Sequence, residues 1–339
     1  MVSMKFKPKG KRLWLSILIR WAVITGIVVS TVVYIESMPG KSYKGVLRPL
    51  SADEELLKEN LRRHVVKLSQ EIGHRNTEHY KGLEASVEYI RDVLVRYGYS
   101  VRFQEYTVRH KTVKNIEAQI DAPSDEIIVV GAHYDSVQGS FGANDNASGV
   151  AATLELARLH AGKKHQRTLR FVLFVNEEPP YFETEDMGSR VYAREAKKRG
   201  DKIAGMVSLE TIGFYSDSPG SQKYPSILRY FYPDTANFIG FVSNISSREL
   251  LYRCIKTFRN TTAFPSVGTV APAWIPGIGW SDHWSFWKED YPAIMITDTA
   301  PFRYVHYHEM SDTPDKIDFD RMARVVAGVD RVVEGISSE

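Results

Sequence analysis

Length and composition indicate a globular protein with a substantial hydrophobic core. The chain has 339 residues, of which 43% are hydrophobic and 25% are charged. The net charge is +3, but residues 36–339 carry −3, because six basic residues precede them: Lys5, Lys7, Lys9, Lys11, Arg12 and Arg20. The pI of about 8.7 therefore does not indicate a nucleic-acid-binding surface, and no nucleic-acid partner is expected. The single cysteine, Cys254, excludes an intramolecular disulfide and a thiolate zinc cluster.

The N-terminal region has the pattern of a membrane anchor. Residues 13–35 form an apolar run long enough to cross a bilayer, which takes about 20 residues. The basic tail 1–12 is expected to stay in the cytoplasm, and the rest of the chain to lie in the periplasm or in an extracellular or lumenal space. A cleaved signal peptide is the alternative, although no A-x-A site follows the run. Residues 36–52 are predicted to link this helix to a folded domain, 53–339.

The remainder alternates between helical and strand patterns. Apolar residues recur with helical spacing in 53–70, 84–97, 147–160, 189–199, 247–260 and 319–336. Short apolar runs typical of buried strands occupy 101–108, 114–120, 127–132, 169–175, 206–209 and 293–297. This alternation predicts an α/β fold: a three-layer αβα sandwich with a mixed, mostly parallel central sheet.

Side chains that bind metals lie at or beyond the ends of four predicted strands. The carboxyl ends of parallel strands meet at one edge of a sheet, where open α/β sheets place their functional crevice. The loop 142–149, rich in small residues, adds a further carboxylate just before a helix. The side chains gathered in this way are His133, Asp135, Asp145, Glu177, Glu178, Glu210 and His308.

The donor types favour a site with two ions. Imidazoles and carboxylates without thiolates suit zinc or a related divalent cation. Two histidines together with any three of these five carboxylates are more than one four-coordinate ion requires. If one carboxylate bridges, the set is suited to two metals roughly 3.5–4 Å apart.

Five motifs in order resemble one known family. They are HYDS at 133–136, GANDNASG at 142–149, NEE at 176–178, MVSLETIG at 206–213 and YHEMSDT at 307–313. This series is similar to the zinc exopeptidases of the bacterial leucyl-aminopeptidase type, metallopeptidase family M28. The resemblance extends from about residue 60 to the C-terminus, and the spacing of twelve residues from His133 to Asp145 also fits. The family includes carboxypeptidases, glutaminyl cyclases and receptor-like members without metal.

The resemblance implies a ligand assignment for two Zn²⁺ ions. Asp145 is expected to bridge them. His133 and Glu210 complete one site, and Glu178 and His308 complete the other. The position of Glu210 is usually aspartate in the best-known members, so this ligand is one methylene longer here.

The resemblance also implies the catalytic roles. Glu177 is expected to be the general base that activates a metal-bound water, and Tyr307 to stabilise the oxyanion. Asp135 orients His133 and selects its tautomer. The peptide bond between Asp145 and Asn146 is expected to be cis. The implied activity is that of an aminopeptidase, which hydrolyses the N-terminal bond of peptide substrates.

Three features leave the substrate open. The segment 179–189 is longer than the usual family link and contains acidic and aromatic residues. Asp282 and His283 resemble a recurring family stretch near the site, without a metal role. Arg303 is a candidate partner for a substrate carboxylate. A carboxypeptidase or a glutaminyl cyclase on the same fold, and a non-catalytic binding module, therefore remain alternatives, and the sequence does not determine the oligomeric state.

Overall fold

The computed structural model describes residues 10–225 and 229–338, apart from the side chains at 11–12, 28 and 31–36. The chain divides into two compact units, Met1–Met38 and Pro39–Glu339.

The first unit contains helix α1, Gly10–Glu36. This helix coincides with the predicted membrane segment 13–35. Within the part of the chain that the structure describes, however, no helix is both long enough and apolar enough to cross a membrane. The prediction of a transmembrane helix is therefore not supported by the structure. Part of the predicted segment, Val28 and residues 31–35, lies outside the described side chains, as do all five basic residues of the tail 1–12.

The second unit is built around one eight-stranded sheet. In chain order its strands are β1 Val101–Val108, β2 Lys111–Ile120, β3 Glu126–His133, β4 Thr168–Phe174, β5 Lys202–Glu210, β6 Ile239–Ser243, β7 Ser266–Val270 and β8 Ala293–Thr297. Their order across the sheet is β1-β2-β4-β3-β5-β8-β6-β7. The pairs β4-β3, β3-β5, β5-β8 and β6-β7 are parallel, and β1-β2, β2-β4 and β8-β6 are antiparallel. The predicted mixed, mostly parallel sheet is confirmed.

Helices cover both faces of this sheet. They are α2 Ala52–Val66, which continues as a π-helix over Lys67–Ile72, α3 Tyr80–Arg96, α4 Gly149–His160, α5 Gly188–Arg199, α6 Arg248–Thr261, α7 His283–Trp287 and α8 Phe319–Ser337. Helices α2, α4 and α6 contact α8, whereas α5 contacts α7. Successive residues of β3 face opposite layers, and Ile127 and Val129 pack with Tyr192 of α5 and Phe286 of α7. This is the three-layer arrangement that the sequence predicts.

Most of the predicted linker 36–52, from Pro39 onwards, belongs to the second unit. Arg259 donates a hydrogen bond to the carbonyl of Pro39 at 3.0 Å. The backbone N–H of Ser266, on strand β7, donates to the hydroxyl of Ser42 at 2.9 Å. These contacts attach the segment to α6 and to the edge of the sheet.

An aromatic cluster anchors β4, the strand that precedes the predicted glutamate pair. Phe174 is fully buried, and its ring centroid lies 5.7 Å from that of Tyr192 and 6.1 Å from that of Phe286. These edge-to-face contacts join the sheet to both α5 and α7.

Replacing Phe174 with alanine should lower the free energy of unfolding by about 3–5 kcal/mol, because it leaves a cavity among buried rings. Phe103→Ala is the matched control, since this ring on β1 is exposed and its loss should cost less than about 1 kcal/mol. Urea unfolding followed by tryptophan fluorescence measures both. Equal destabilisation by the two substitutions would show that the cluster is not central to the core.

Candidate metal centre

The first set of metal-type donors lies where β3 and β5 end. His133 is the last residue of β3 and Glu210 the last of β5, and these strands pair in parallel, so both side chains reach the same edge of the sheet. Asp145 comes from the segment Ala143–Ser148, directly before α4. His133 Nε2 lies 3.3 Å from Asp145 Oδ1 and 3.3 Å from Glu210 Oε2. All three residues are buried.

The second set of donors shares Asp145 with the first. His308 Nε2 lies 3.1 Å from Asp145 Oδ2 and 3.3 Å from Glu178 Oε2. Glu178 follows β4, and His308 belongs to the loop after β8. Each carboxylate oxygen of Asp145 thus faces a different set, so the five predicted ligands are brought together. The side chain of His308 is 32% exposed, which gives the centre access to solvent.

The donor atoms are placed for a metal rather than for hydrogen bonding. Among the described residues, His133 Nε2, His308 Nε2 and Asp145 Oδ2 are buried without a hydrogen-bond partner. Their separations of 3.1–3.3 Å exceed the about 2.7–2.9 Å of charged hydrogen bonds. They match the distance of about 3.3 Å between neighbouring ligands of a tetrahedral zinc ion with bonds of about 2.0 Å. The residues present therefore fit a divalent cation such as zinc.

Electrostatics favour positive charge at this centre. Burial raises the pKa of Glu178 to about 7, and Asp145 adds to this rise while His308 opposes it. Burial also raises the pKa of Glu210 above its ordinary value. Burial alone lowers the pKa of His308, but the carboxylates of Asp145 and Glu178 raise it to about 10. The buried carboxylates thus require a cation, either a proton or a metal ion.

Asp135 holds three elements of the centre together. Its two carboxylate oxygens accept the backbone N–H groups of Glu177 and Glu178 at 3.1 and 3.2 Å. Asp135 Oδ1 also lies 3.4 Å from His133 Nδ1. Asp135 is therefore placed to orient His133 and both glutamates, and it belongs to neither donor set.

Glu177 and Tyr307 lie beside the donor sets. Glu177 Oε2 is 3.8 Å from His133 Nε2, and the glutamate is buried next to the first set without belonging to it. The neighbouring Glu178 points to the second set, so the two glutamates occupy different places in the centre. The ring of Tyr307 stacks on that of His308, with centroids 3.9 Å apart. The peptide bond between Asp145 and Asn146 is cis, as predicted.

Two positioning residues of the centre escaped the sequence analysis. Asp312 accepts the backbone N–H groups of Asn144 at 2.8 Å and Asp145 at 3.1 Å. Ser281 donates to Glu210 Oε2 at 2.7 Å. For Asp312 the only signal in the sequence was its place in the motif YHEMSDT. The residues that it binds, Asn144 and Asp145, lie far away in the chain.

Arg75, also missed, binds the backbone on either side of the centre. It is fully buried, and its guanidinium donates to the carbonyls of Tyr134, Phe141 and Gly142 at 2.7, 2.6 and 2.6 Å. These bonds join the loop that follows His133 to the turn that precedes Asp145. Burial lowers the pKa of Arg75 to about 10, so the guanidinium remains charged at neutral pH.

Two residues singled out in the sequence have structural positions. Asp282 and His283 are fully buried, and neither lines a cavity beside the centre. His283 Nε2 lies 2.8 Å from the carbonyl of Ile278. Burial raises the pKa of Asp282 to about 7, and the neighbouring carboxylate of Glu210 adds to this rise. Asp282 is thus close enough to Glu210 to feel its charge, but neither residue of the pair faces a cavity that a substrate could enter.

Two cavities adjoin the centre, one at each donor set. The first, called here the apolar cavity, has a volume of about 80 Å³ and includes Glu210 and Tyr307 in its lining. Its other walls are mainly aromatic or apolar: Tyr224, Tyr232, Ile278, Trp280, Met295 and Phe302. The second, called the outer cavity, has a volume of about 480 Å³ and is lined by Asp135, Glu178, Arg109 and, from the unusual segment 179–189, by Pro179, Pro180 and Tyr181.

The fold and the donor sets define an α/β protein with a histidine–carboxylate metal centre at the carboxyl edge of its sheet. A family model described as peptidase family M28 matches residues 115–333. The chain belongs to peptidase family M28, as the motifs predict.

Several relatives match most of the chain. The uncharacterized protein YfbL of Escherichia coli (strain K12) is 37% identical over 280 residues, covering 80% of this chain and 86% of its own. A probable leucine aminopeptidase of Trichophyton verrucosum (strain HKI 0517) is 27% identical over 293 residues, covering 80% of this chain and 72% of its own.

Solved structures share the fold at low identity. BSAP, a zinc aminopeptidase from Bacillus subtilis, superposes with a TM-score of 0.67 at 15% identity, covering 86% of this chain and 97% of its own. A glutaminyl cyclase of Fimbriiglobus ruber superposes with a TM-score of 0.62 at 20% identity, covering 88% and 99%. At this identity the likeness shows the fold alone, because the same architecture carries both activities.

Replacing His308 with alanine should weaken zinc binding by at least about tenfold, since it removes one donor from the second set. His306→Ala is the matched control, because His306 Nδ1 lies 2.8 Å from the hydroxyl of Ser311 and belongs to neither set. Competition with a chromophoric chelator measures both affinities. Loss of zinc from the His306 variant alone would reverse the assignment of these two histidines.

Proposed function

We propose that this chain is a di-zinc aminopeptidase that removes single residues from the N-termini of peptides. The observation that carries the proposal is the shared position of Asp145 between two donor sets, with Glu177 beside them. Membership of a peptidase family and the similarity to a probable leucine aminopeptidase support this reaction class. No thiolate or hydroxyl nucleophile is needed, since a water molecule supplies the attacking oxygen.

Two zinc ions fit the donor sets. His133 and Glu210 would hold one ion, Glu178 and His308 the other, and Asp145 both, with one oxygen directed at each set. When bound, zinc lowers the pKa of water and polarises the scissile carbonyl. Asp135, placed 3.4 Å from His133 Nδ1, keeps this imidazole turned towards the metal.

Glu177 is the proposed general base. It is buried beside the first donor set but is not one of its members, so its carboxylate remains available to accept a proton. Burial raises its pKa well above the ordinary value, and Glu210 and Glu178 add to this rise while His133 opposes it. A carboxylate at this position can take the proton of the attacking water and deliver it to the leaving amine.

Tyr307 is the proposed donor to the oxyanion. Its ring stacks on His308, which keeps the phenol next to the donor sets, and it also lines the apolar cavity. Burial raises the pKa of Tyr307 well above its ordinary value, so the hydroxyl stays protonated and able to donate at neutral pH. A donor at this position stabilises negative charge on the carbonyl oxygen.

The apolar cavity supports specificity for an apolar N-terminal side chain. Aromatic and aliphatic groups line it next to Glu210 and Tyr307, so a leucine- or phenylalanine-sized side chain would be buried there. Burial of such a side chain contributes about 1.5–3 kcal/mol, enough to favour these residues over glycine by at least about tenfold.

The structure disfavours the carboxypeptidase alternative based on Arg303. This arginine is buried, and its Nε donates to Gln222 at 2.8 Å. One of its amino groups donates to the carbonyl of Phe238 at 3.0 Å. Among the described residues, the other amino group is buried without a hydrogen-bond partner. Because Arg303 lines neither cavity beside the centre, it is not placed to bind a substrate carboxylate.

Zinc-loaded protein should shorten a peptide with an apolar N-terminus one residue at a time, and should leave its N-acetylated form intact. Glu177→Gln should retain zinc and lose at least about 100-fold in turnover, because an amide cannot accept the proton. Glu183→Gln is the matched control, since Glu183 is exposed in the nearby segment 179–189. Mass spectrometry of the products and metal analysis of each variant provide the readouts.

Each alternative predicts a different product. Shortening of the acetylated peptide from its C-terminus would identify a carboxypeptidase, and cyclisation of an N-terminal glutamine would identify a glutaminyl cyclase. Wild-type turnover by the Glu177→Gln variant would refute the proposed mechanism. Inert protein with zinc bound would favour a binding module.

We also propose that the N-terminal helix attaches the protein to a membrane, with the peptidase domain on the extracytoplasmic side. Large apolar side chains are exposed around α1, including Trp14, Leu18, Trp21 and Ile27. An apolar helix of this kind is ordinarily covered by protein or lipid. The basic residues before it favour a cytoplasmic N-terminus.

Full-length protein should remain in the membrane fraction after alkaline carbonate treatment and dissolve in detergent, because the apolar face of α1 is withdrawn from water. A chain that starts at residue 39 should be recovered without detergent. Protease added outside intact cells or spheroplasts should degrade the peptidase domain. Release of the full-length protein by carbonate, or a mature protein that lacks α1 by mass spectrometry, would contradict the anchor.

A further inference from the structure

The outer cavity extends from the metal centre to a hairpin. Buried Asp135 and Glu178 line it, and so does exposed Arg109. The apolar cavity adjoins the other donor set, through Glu210. If the first side chain of a peptide occupies the apolar cavity and its first peptide bond lies at the donor sets, the outer cavity is the space beside the centre that can receive the rest of the peptide.

Arg109 occupies the tip of the hairpin formed by β1 and β2. The last paired residues are Val108 and Lys111, so Arg109 and His110 form a two-residue turn. Both have positive φ, 47° and 66°. Such turns favour asparagine, aspartate and glycine, so the turn itself gives no reason for an arginine at this position.

The guanidinium of Arg109 is held in place without being neutralised. It lies 5.5 Å from the ring centroid of Tyr181, and the hydroxyl of Tyr181 lies 3.1 Å from that of Thr77. Within the described part of the chain, no carboxylate forms an ion pair with Arg109, although Glu78 also lines the cavity. Its five N–H donors are therefore available to an anion.

We propose that Arg109 binds the C-terminal carboxylate of the substrate, which makes this protein a peptidase of short peptides. This inference rests on the proposed aminopeptidase function. The C-terminal carboxylate is the one anion that every unmodified peptide carries beyond its first residue, whatever its side chains. A planar guanidinium recognises it through two parallel hydrogen bonds. A long peptide would carry its carboxylate past the hairpin and lose this contact.

The test compares one tripeptide, Leu-Gly-Gly, as free acid and as C-terminal amide, together with leucine p-nitroanilide, which has no carboxylate. With wild-type zinc-loaded protein, KM should be about three- to tenfold lower for the acid than for the amide, with similar kcat. Arg109→Gln should remove this difference by raising the KM of the acid only. Arg109→Lys should retain part of it, because the charge remains but the bidentate geometry is lost.

Arg102→Gln is the matched control. Arg102 is an exposed arginine on β1 of the same hairpin, paired with Glu117 at 2.8 Å, and it does not line the outer cavity. This variant should keep the wild-type preference for the acid.

Three outcomes would overturn the inference. The first is an equal KM for the acid and the amide with wild-type protein. The second is a rise in KM for the amide and the anilide in Arg109→Gln that is as large as the rise for the acid. The third is the same rise in the KM of the acid in Arg102→Gln. Failure of zinc-loaded wild-type protein to hydrolyse leucine p-nitroanilide would instead reject the proposed aminopeptidase function, so the two failures are distinguishable.

Discussion

The burial of several carboxylates at one edge of the sheet is the constraint on which the rest of this structure depends. Asp145, Glu177, Glu178 and Glu210 are all buried close together, and ionised carboxylates in such a place repel one another and lose hydration. The pKa values of the three glutamates are raised for this reason. Asp145 is the exception: burial raises its pKa, but contact with two imidazoles lowers it below the ordinary value. The residue shared by both donor sets is thus the one held most firmly as an anion.

The protein maintains this costly arrangement mainly through hydrogen bonds to the backbone of the segments that carry the ligands, and Ser281 adds a bond to the carboxylate of Glu210. Asp135, Asp312 and Arg75 each bind main-chain groups of the segments that carry the ligands. Parallel strands β3 and β5 set the depth of His133 and Glu210, since both are final residues of paired strands. Because the backbone is fixed at these points and the side chains of His133, Asp145 and Glu210 are buried, the donor sets are largely arranged before a metal binds.

The sequence allowed prediction of those ligands that follow closely after a strand in the chain. Strands β3, β4 and β5 are short apolar runs that pass directly into ligand residues, so both the strand and its ligand were visible together. Arg75 and Ser281 lack such a signal, because their partners are distant in the chain and form only on folding.

There are also physical reasons why some strands and one helix were not predicted from the sequence. Strands β6 and β7 are five residues each, contain glycine, and were not recognised as apolar runs. Strand β2 begins at Lys111, three residues before its predicted start. The early start was not predicted because the Arg109–His110 turn lacks the asparagine or glycine that usually marks a hairpin. Helix α7 has only five residues, too few to show a helical period.

The unequal sizes of the two cavities bear on which end of a peptide the centre attacks. A volume of about 80 Å³ admits several water molecules, at about 10–15 Å³ for each, and so is suited to one side chain. The volume of about 480 Å³ on the Glu178 side accommodates a longer piece of chain and carries the charge of Arg109. An endopeptidase needs room for chain on both sides of the scissile bond, whereas an aminopeptidase needs it on one. The small cavity would then hold the first side chain. Arg109 in the outer cavity would repel a protonated N-terminus and favour the carboxyl-terminal part of the peptide in that cavity.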